Sequence, residues 1–511
     1  MILADRFEEI ARTAPGRCFV HFTGADAEQD EILNYGEGDR RASSVAAELL
    51  RRGIGRGDIV VLMMPNCAGW LVWYIGNQKV GAVTCGVNTE LLASELAPTL
   101  VNIDPRLIVT VPELAGKARA VIDEGRLSAD LLVLGHDAVP EAEPRPRDPT
   151  LDQSDLCSII FTSGTTGARS KAVMVPHRLL MTEIRSYHEL LRYGPEDHIM
   201  IVTPLFHAAA LNWAVSLVLH CGGSIVLTEK FSASRFWEQA DRSRATVLWT
   251  MAAIPFILMR SPVSEAERRA APRLRSMFAV GAGDRWREIV ERWGPILVDG
   301  FGMGETPGTL TGPDSFEHNE PFPCVGRPVP GVDLRIIDPD TGETLPPRVR
   351  GEIVVRFGQG FAGYLNNPEA MAEAVRDGWF HTGDIAYRDE SGRIFFVDRI
   401  KDIIRRGSEN ISAREIEQAL MLHSEVAEAY AVAKPHYELG EVIAAYLVAK
   451  DPARVFALDE IRDFCSQYLS RIKLPEDVRT VESESLPRTP TGRVQKFRLK
   501  EQLRGEQGLP A

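Results

Sequence analysis

The chain has 511 residues, of which 44% are hydrophobic and 25% are charged, and its formal net charge is −13. These proportions are those of an ordinary globular protein, so they exclude a disordered chain, a collagen and a long coiled coil. An acidic chain without a basic run is also a poor candidate for binding nucleic acid or an anionic membrane surface. At roughly 100–200 residues per domain, the length predicts about two to four folding units.

The start of the chain and its cysteines predict a cytoplasmic protein. Residues 1–16 contain acidic side chains where a secretory signal would need a basic end and an apolar core. The most apolar stretch, residues 59–76, is interrupted by Pro65 and Gly69, so we interpret it as a strand, a turn and the start of a helix. The 7 cysteines form no CxxC pair, which indicates reduced thiols and neither a disulfide framework nor a zinc site.

Short apolar runs typical of β-strands alternate with helix-like stretches as far as residue 300. The runs are residues 59–63, 107–111, 131–134, 199–202, 224–227, 246–249 and 296–298. This alternation predicts an α/β architecture with a largely parallel sheet. Residues 139–155 are rich in proline and charge, and we expect them to be a surface connection.

After Val332 the pattern changes to closely spaced strands separated by turn signals. The predicted strands are residues 334–337, 352–356 and 394–397, which indicates a smaller and more antiparallel β unit. The end of the chain predicts a separate small α+β domain. Its predicted elements are strands at 429–433 and 443–448 and a helix whose apolar positions are Leu458, Ile461, Phe464, Tyr468 and Ile472.

Residues 159–171, IIFTSGTTGARSK, have the composition of a phosphate-binding loop. Glycines allow backbone N–H groups to turn toward a ligand, hydroxyls add donors and a lysine adds charge, as a polyphosphate requires. The loop lacks the Walker A spacing, and a second strand-like run, 172–175, follows it instead of a helix. A polar hairpin turn is the alternative interpretation.

Three further motifs follow in order, GMGET at 302–306, WFHTGD at 379–384 and DRIKD at 398–402. Together with the loop, this ordered set resembles the adenylate-forming enzymes, which include acyl-CoA synthetases, luciferases and nonribosomal peptide adenylation domains. The resemblance runs from about residue 34 to residue 500. Residues 204–207 and 231–247 are most similar to the carnitine/crotonobetaine-type and medium-chain acid–CoA ligases.

The resemblance implies a fold and a division into domains. Residues 1–400 would form a large N-terminal domain of α/β subdomains plus a small β unit, which binds nucleotide and acid. Residues 402–511 would form a small mobile α+β domain. The hinge between them would lie at Lys401, and the C-terminal domain would swing about it between two half-reactions.

The resemblance also implies residues that bind ATP and Mg²⁺. The phosphates would be held by Thr162, Ser163, Gly164, Thr165, Thr166 and Gly167, with Lys171 adding charge. Glu305 matches the carboxylate that holds Mg²⁺, and Asp384, assisted by Arg399, matches the acceptor of the ribose hydroxyls. The adenine pocket would be formed by Gly281, Ala282, Gly283, Asp299, Phe301 and Gly302.

The acid-binding pocket is implied less directly. His207 matches a position that borders this pocket and can gate access to it, although a lone histidine is often a structural residue. Trp213, Trp249 and Met251 are candidates for the pocket walls. For at least one of these three, we expect plain core packing instead.

Four positions depart from the family pattern. Arg493 follows Thr489-Pro490-Thr491-Gly492, where the family has a lysine that enters the adenylation site. Arginine keeps the charge but is a planar fork, so Lys496 is a second candidate for this role. Gly304 replaces a threonine, and Ser408 replaces a glycine at the pantetheine passage. The phosphate loop is about one residue longer than usual and is followed by Ala172 in place of a glycine.

The implied reaction is the attack of an acid on the α-phosphate of ATP, release of pyrophosphate, and transfer of the activated group from AMP to an acceptor. The leading prediction is an acid–CoA ligase with CoA as co-substrate. The four departures keep a second class open, in which an amine accepts the group without CoA, as in amide ligases and nitrite-activating diazotases. A catalytically inactive homologue acting as a binding module is a third alternative.

Overall fold

The computed structural model describes residues 2–161, 171–251, 253–280, 286–306, 309–312, 324–357, 362–406, 409–436, 439–488 and 492–506. These residues form two compact units. The N-terminal unit comprises the described residues up to 334 together with 355–380, and the C-terminal unit comprises 335–354 together with those from 381 onward.

The strands are short in the first half of the chain and longer toward its end. In chain order they are β1 (Cys18–Thr23), β2 (Glu31–Asn34), β3 (Ile59–Met63), β4 (Val83–Gly86), β5 (Leu107–Thr110), β6 (Asp130–Val133), β7 (Leu156–Phe161), β8 (Ala172–Pro176), β9 (His198–Ile201), β10 (Ser224–Thr228), β11 (Val247–Met251), β12 (Ser276–Val280), β13 (Leu297–Val298), β14 (Phe301–Gly302), β15 (Thr309–Gly312), β16 (Arg327–Pro328), β17 (Val332–Ile337), β18 (Gly351–Phe357), β19 (Val375–Arg376), β20 (Trp379–Arg388), β21 (Ile394–Arg399), β22 (Ile403–Arg406), β23 (Glu409–Ser412), β24 (Val426–His436), β25 (Gly440–Ala449) and β26 (Asp477–Thr480).

Most helices lie before residue 300. They are α1 (Leu3–Thr13), α2 (Tyr35–Arg51), α3 (Ala68–Val80), α4 (Ala93–Ile103), α5 (Ala115–Gly125), α6 (His177–Leu191), α7 (Ser216–Cys221), α8 (Phe236–Arg242), α9 (Ala253–Met259), α10 (Glu265–Ala270), α11 (Trp286–Trp293), α12 (Pro368–Ala374), α13 (Ala413–Met421), α14 (Leu458–Cys465) and α15 (Lys496–Glu506). A π-helix spans Ala209–Val215. Short 3₁₀ turns span Ala27–Gln29, Pro112–Leu114, Ala271–Arg273, Ile400–Asp402, Arg471–Lys473 and Ser483–Ser485.

Two mainly parallel sheets form the centre of the N-terminal unit. One has 7 strands in the order β13-β12-β11-β9-β10-β1-β2, and only its β1–β2 pair is antiparallel. The other has 6 strands in the order β6-β5-β3-β4-β7-β8, and only its β7–β8 pair is antiparallel. The predicted α/β class with largely parallel sheet is therefore confirmed.

The apolar stretch at residues 59–76 forms β3, a turn and the start of α3, as predicted. Every residue of α3 is buried, which explains why this helix has no polar face. Its neighbour α2 is capped by Asn34, whose side chain accepts the N–H of Glu37 at 2.8 Å. Gly76 lets the two helices approach closely, since a β-carbon there would lie 2.5 Å from Cγ1 of Val45.

The C-terminal unit contains a sheet in the order β23-β22-β25-β24, with β26 beside β25. β24 and β25 form a long antiparallel hairpin that contains both strands predicted in this region. Helix α13 packs on β24, and α14 packs on β26. The small α+β domain expected at the end of the chain is present.

The helix predicted over residues 458–472 is too long. α14 ends at Cys465, and Tyr468 and Ile472 lie beyond it with 54% and 43% of their surface exposed. Ile461 and Cys465 are buried on the inner side of the helix. No α-helix follows Cys465 before the 3₁₀ turn Arg471–Lys473, so the apolar spacing at Tyr468 and Ile472 does not mark a helix.

The compact units do not coincide with the predicted boundary at residue 400, because residues 335–354 and 381–400 belong to the same unit as the end of the chain. Grouping by contact does not identify the axis of a movement, so the hinge at Lys401 stays a prediction.

Residues 139–155 contain no helix or strand, as expected of a connection. Within the described part of the chain, no helix is both long and apolar enough to cross a bilayer.

Candidate active site

One edge of the seven-stranded sheet collects several predicted site residues. β9, β11, β12 and β13 are parallel, so their carboxyl ends meet at the same edge. His207 follows β9, Met251 ends β11 and Asp299 follows β13. In open α/β sheets this edge is where ligands bind.

The predicted phosphate loop joins two paired strands. β7 and β8 are antiparallel, and Phe161 lies opposite Ala172. The loop residues Thr162, Ser163, Gly164, Thr165, Thr166 and Gly167 lie outside the described residues, as do Gly281, Ala282 and Gly283 of the predicted adenine pocket and Gly407 and Ser408 of the predicted pantetheine passage.

Lys171, the last residue of the predicted loop, is partly buried against an aromatic ring. Its Nζ lies 4.7 Å from the centroid of the Tyr364 ring, within the range of a cation–π contact. Next to it, the backbone of β8 is hydrogen-bonded to the segment that carries this tyrosine. Leu365 donates its N–H to the Ala172 carbonyl at 2.8 Å, and Met174 donates to the Gly363 carbonyl at 3.0 Å.

Glu305 is a buried carboxylate on a turn after β14. Thr306 fixes this turn, because its hydroxyl accepts the N–H of Met303 and donates to the Met303 carbonyl, both at 3.0 Å. The hydroxyl of Tyr364 donates to Oε1 of Glu305 at 3.1 Å. Lys171 and Glu305, which the sequence analysis placed at the phosphates and the Mg²⁺ ion, therefore contact the ring face and the hydroxyl of the same tyrosine.

Tyr364 was not among the site residues predicted from the sequence. A signal for its position exists in the sequence, since Asn367 and Pro368 mark a helix start and α12 begins there with Asn367 as its cap. Gly363 has a φ of 105°, a left-handed conformation that favours glycine. These features locate a turn, but they do not show that its tyrosine reaches a residue 59 positions away.

The remaining described residues of the predicted adenine pocket are Asp299, Phe301 and Gly302. Asp299 accepts the N–H of Gly300 through Oδ1 at 2.8 Å. Phe301 is 8% exposed, and its N–H donates to the Thr311 hydroxyl at 3.1 Å. All three lie in the N-terminal unit, on the chain that leads from β13 to Glu305.

His207 introduces the π-helix Ala209–Val215. Its Nδ1 accepts the N–H of Ala209 at 3.2 Å, so in the neutral ring the proton lies on Nε2. Desolvation lowers the pKa of His207 below its usual value, which favours this neutral form. π-helical turns are rare and occur often at functional sites.

The three candidate pocket walls have different surroundings. Trp249 is completely buried and stacks on Phe278, with ring centroids 4.0 Å apart, so it is a core residue and not a wall. Trp213, within the π-helix, forms a T-shaped contact with the same Phe278 ring, with ring centroids 6.2 Å apart. It is 7% exposed. Met251 is partly buried at the carboxyl end of β11.

Asp384 and Arg399 face each other across β20 and β21. Nε of Arg399 lies 3.1 Å from Oδ1 of Asp384, and the carboxylate is almost completely buried. The contact fits both alternatives for this pair, a ribose site and a structural ion pair. Both residues belong to the C-terminal unit.

Glu352 is a second residue that the sequence analysis missed. Its Oε1 accepts the N–H of Gly383 at 3.0 Å, and its Oε2 lies 2.8 Å from Nδ1 of His381. Gly383 has a φ of 70°. The buried Glu352 carboxylate thereby holds the turn that places Asp384, within the same unit.

The two candidate cations near the C-terminus have different partners. Lys496 forms an ion pair with Glu417 at 2.7 Å, and the two side chains are only 16% and 17% exposed. Burial alone would lower the pKa of Lys496, but the Glu417 carboxylate offsets this effect and raises it. Lys496 is therefore held in the interior of the C-terminal unit.

Arg493 lies in a different electrostatic environment. Desolvation of its guanidinium and then repulsion by Arg399 lower its pKa, against the attraction of Asp402 and Asp384. Lys401 experiences the same field, since desolvation and then Arg399 lower its pKa to about 8. Arg493, the predicted hinge residue and the predicted ribose pair are thus electrostatically coupled within the C-terminal unit.

Another cluster of the C-terminal unit has the residue types of a metal site. Among the described residues, His423, Glu425 and Glu460 are the group of three that could share an ion. Arg454 already pairs with both carboxylates. The cluster is therefore accounted for as an ion-pair network.

The AMP-binding enzyme family matches residues 7–365, and the AMP-binding enzyme C-terminal domain matches residues 415–493. The first match alone spans well over half of the 511 residues. The chain therefore belongs to the AMP-binding enzymes. It is an AMP-forming ligase of the predicted adenylate-forming superfamily, and that prediction is confirmed.

Several ligases are similar to the chain over nearly its whole length. A sulfoacetate–CoA ligase of Cupriavidus necator is 31% identical over 487 residues, covering 91% of this chain and 92% of that protein. 4-Coumarate–CoA ligase 1 of Solanum tuberosum is 28% identical over 522 residues, covering 97% and 93%. The crystal structure of ATP-bound MatB from Rhodopseudomonas palustris superimposes with a TM-score of 0.88 at 28% identity, covering 98% of this chain and 99% of that one.

Proposed function

We propose that this AMP-forming ligase activates a small acid with ATP and Mg²⁺ and transfers the activated group to CoA. The observation that carries the proposal is the meeting of Lys171, Tyr364 and Glu305 at the end of the predicted phosphate loop. A lysine ammonium suits phosphate oxygens, and a buried carboxylate suits a hard divalent cation. These are the groups that a bound nucleoside triphosphate needs.

In the first half-reaction, an oxygen of the acid bonds to the α-phosphorus of ATP. The bond from that phosphorus to the bridging oxygen breaks, and pyrophosphate leaves. Lys171 would orient the phosphates, and Glu305 would hold Mg²⁺, which when bound neutralises charge on the phosphate oxygens. Asp384 would accept hydrogen bonds from the ribose hydroxyls, and the neighbouring Arg399 would orient its carboxylate.

In the second half-reaction, the thiol sulfur of CoA bonds to the acyl carbon, its proton passes to solvent, and the bond to AMP breaks. The names of the relatives support CoA as the acceptor, since both the sulfoacetate and the 4-coumarate enzymes are CoA ligases. Their acids differ in size and charge. The acid of this enzyme is therefore proposed only as a class, a small carboxylic acid.

A second candidate acceptor is an amine. It is favoured by the positions that depart from the family, among them Arg493, a planar guanidinium in place of a compact ammonium group. In that reaction the activated acid, or activated nitrite, would pass to the amine nitrogen, with the same loss of AMP. CoA would then play no part.

The experiment that separates the two measures pyrophosphate and AMP release from ATP with and without CoA, over a panel of acids and with nitrite plus an aryl amine. We expect acid-dependent pyrophosphate release, and AMP release that depends on CoA. AMP release driven by an amine and indifferent to CoA would contradict the proposal. The assignment of Glu305 is tested by Glu305→Ala, which should fold normally but form adenylate about 10²–10³-fold more slowly.

A further inference from the structure

We infer that Tyr364 is a positioning residue that orients the Glu305 carboxylate for a divalent cation and couples it to Lys171. The inference rests on the proposed function, because it assumes that Glu305 holds Mg²⁺ beside ATP. It adds a residue that neither the loop nor the ordered motifs contain. It also explains how two groups distant in sequence act at the same phosphates.

The hydrogen bond between Tyr364 and Glu305 has a defined direction. A carboxylate oxygen carries no hydrogen and can only accept, so the phenol O–H of Tyr364 is the donor. The acceptor is Oε1 of Glu305 at 3.1 Å. An ionised carboxylate has about four acceptor sites, so one hydroxyl bond fixes its rotation and leaves capacity for a cation.

The fold does not need this hydroxyl. Backbone bonds to β8 already fix the segment around Tyr364, through Leu365 and Met174. A further backbone bridge pairs Tyr364 itself with Val173. The ring is 6% exposed and fills space whether or not it carries oxygen. The hydroxyl therefore orients the Glu305 carboxylate and is not needed to hold the backbone in place.

Lys171 contacts the face of the same ring. Nζ of Lys171 lies 4.7 Å from the ring centroid, so the same side chain limits the freedom of a loop cation and of a metal-binding carboxylate. Partners that orient a metal ligand typically contribute about 10–100-fold to metal affinity. The cation–π contact survives removal of the hydroxyl, which makes the two contributions separable.

The test is the binding of α,β-methylene-ATP to the full chain by calorimetry, over a series of Mg²⁺ concentrations. It requires no acid and no turnover. Tyr364→Phe should raise the half-saturating Mg²⁺ concentration about tenfold, with little change in affinity at saturating Mg²⁺. In a Glu305→Gln background, the same substitution should add less than about twofold, because it acts through that carboxylate.

Tyr193 offers a matched control. It is also a buried tyrosine, its hydroxyl lies 2.7 Å from the Ser276 hydroxyl, and the Arg275 guanidinium lies 5.2 Å from its ring centroid. Tyr193→Phe also removes the hydroxyl of a buried tyrosine, but Tyr193 is not one of the residues predicted to contact the phosphates or Mg²⁺. It should leave the Mg²⁺ dependence unchanged, whatever its effect on the unfolding temperature.

An unchanged Mg²⁺ dependence in Tyr364→Phe would overturn the inference. Equal shifts in the two tyrosine variants would overturn it as well, since they would indicate a general loss of stability. So would a full tenfold effect in the Glu305→Gln background. Failure of every acid to release pyrophosphate would instead count against the proposed function and leave this binding measurement interpretable.

Discussion

Arg493 and Lys496 lie three positions apart, and their electrostatic surroundings differ. Lys496 is paired with the shielded Glu417, whose carboxylate also accepts the N–H of Ala431. Arg493 is coupled to the charges around Asp384. These surroundings favour Arg493 as the group that acts in adenylation and Lys496 as a structural cation.

Two substitutions test that difference. Arg493→Ala should slow adenylate formation about 10²–10³-fold, the effect of one well-placed donor, with little change in the unfolding temperature. Lys496→Met should leave Glu417 without its partner and destabilise the C-terminal unit by up to about 3 kcal/mol. Pyrophosphate release and scanning calorimetry measure the two quantities.

The double variant Lys496→Met/Glu417→Leu supplies the control. Replacing both partners of a shielded ion pair with apolar groups is often nearly neutral, so most of the lost stability should return. If Lys496→Met slowed adenylation more than Arg493→Ala in protein that remained folded, the assignment of the two cations would be reversed.

Some site residues were predicted from the sequence and others were not. The two groups differ in whether a local motif or a contact with a residue distant in sequence identifies them. Glu305, Asp384 and Arg399 belong to continuous motifs, so the resemblance could locate them. Tyr364 contacts a residue 59 positions away, and Glu352 contacts residues 29 and 31 positions away. No local pattern encodes such a contact, because it depends on which strands become neighbours in the sheet.

At the scale of elements, the contact between α2 and α3 depends on one glycine. A β-carbon at Gly76 would lie 2.5 Å from Cγ1 of Val45 and 3.0 Å from the Ala42 carbonyl. Gly76→Ala should therefore force the helices apart and destabilise the N-terminal unit by about 1–3 kcal/mol, despite the higher helix propensity of alanine. The unfolding temperature measures this loss.

Gly116 in α5 is the comparison, because a β-carbon there meets nothing within 4 Å. Gly116→Ala should be neutral or stabilising by up to about 1 kcal/mol. Equal effects of the two substitutions would mean that crowding at the α2–α3 contact is not the cause.

Strands were easier to predict than helix ends. A strand buried on both faces is a continuous apolar run, and the runs at 59–63, 107–111 and 224–227 all fall within or at the ends of observed strands. The helix predicted to residue 472 failed because apolar spacing alone gives no stop signal. The position of Tyr468 shows the error, since it has the right spacing but is 54% exposed.

At the scale of the whole molecule, one buried histidine links the stability of the fold to pH. His177 begins α6, is 1% exposed, and its Nδ1 has no hydrogen-bond partner in the described part of the chain. Desolvation lowers its pKa from 6.5 to about 4. A positive charge at a helix N-terminus is also unfavourable.

The sign of the pH dependence follows from proton binding. Between about pH 6.5 and pH 4 the unfolded chain binds a proton at this histidine and the folded chain does not, so stability falls as the pH falls through that window. Below pH 4 both forms are protonated and the difference is constant. At 1.36 kcal/mol per pKa unit, the loss is up to about 3 kcal/mol.

His177→Asn removes the titrating group. We expect its unfolding temperature to approach or exceed that of the unaltered protein as the pH is lowered from 7 to 4.5, because only the unaltered protein loses this contribution. Calorimetry at both pH values checks the result. A difference between the two proteins that does not change with pH would contradict the assigned pKa.

The hairpin of β7 and β8 has a consequence for how this enzyme can diverge. Phe161 and Ala172 face each other, so the two ends of the loop between them are set by strand pairing. The entropy of closing such a loop grows only with the logarithm of its length. Natural insertions or engineered libraries can therefore change the length of the loop without refolding the strands that support it.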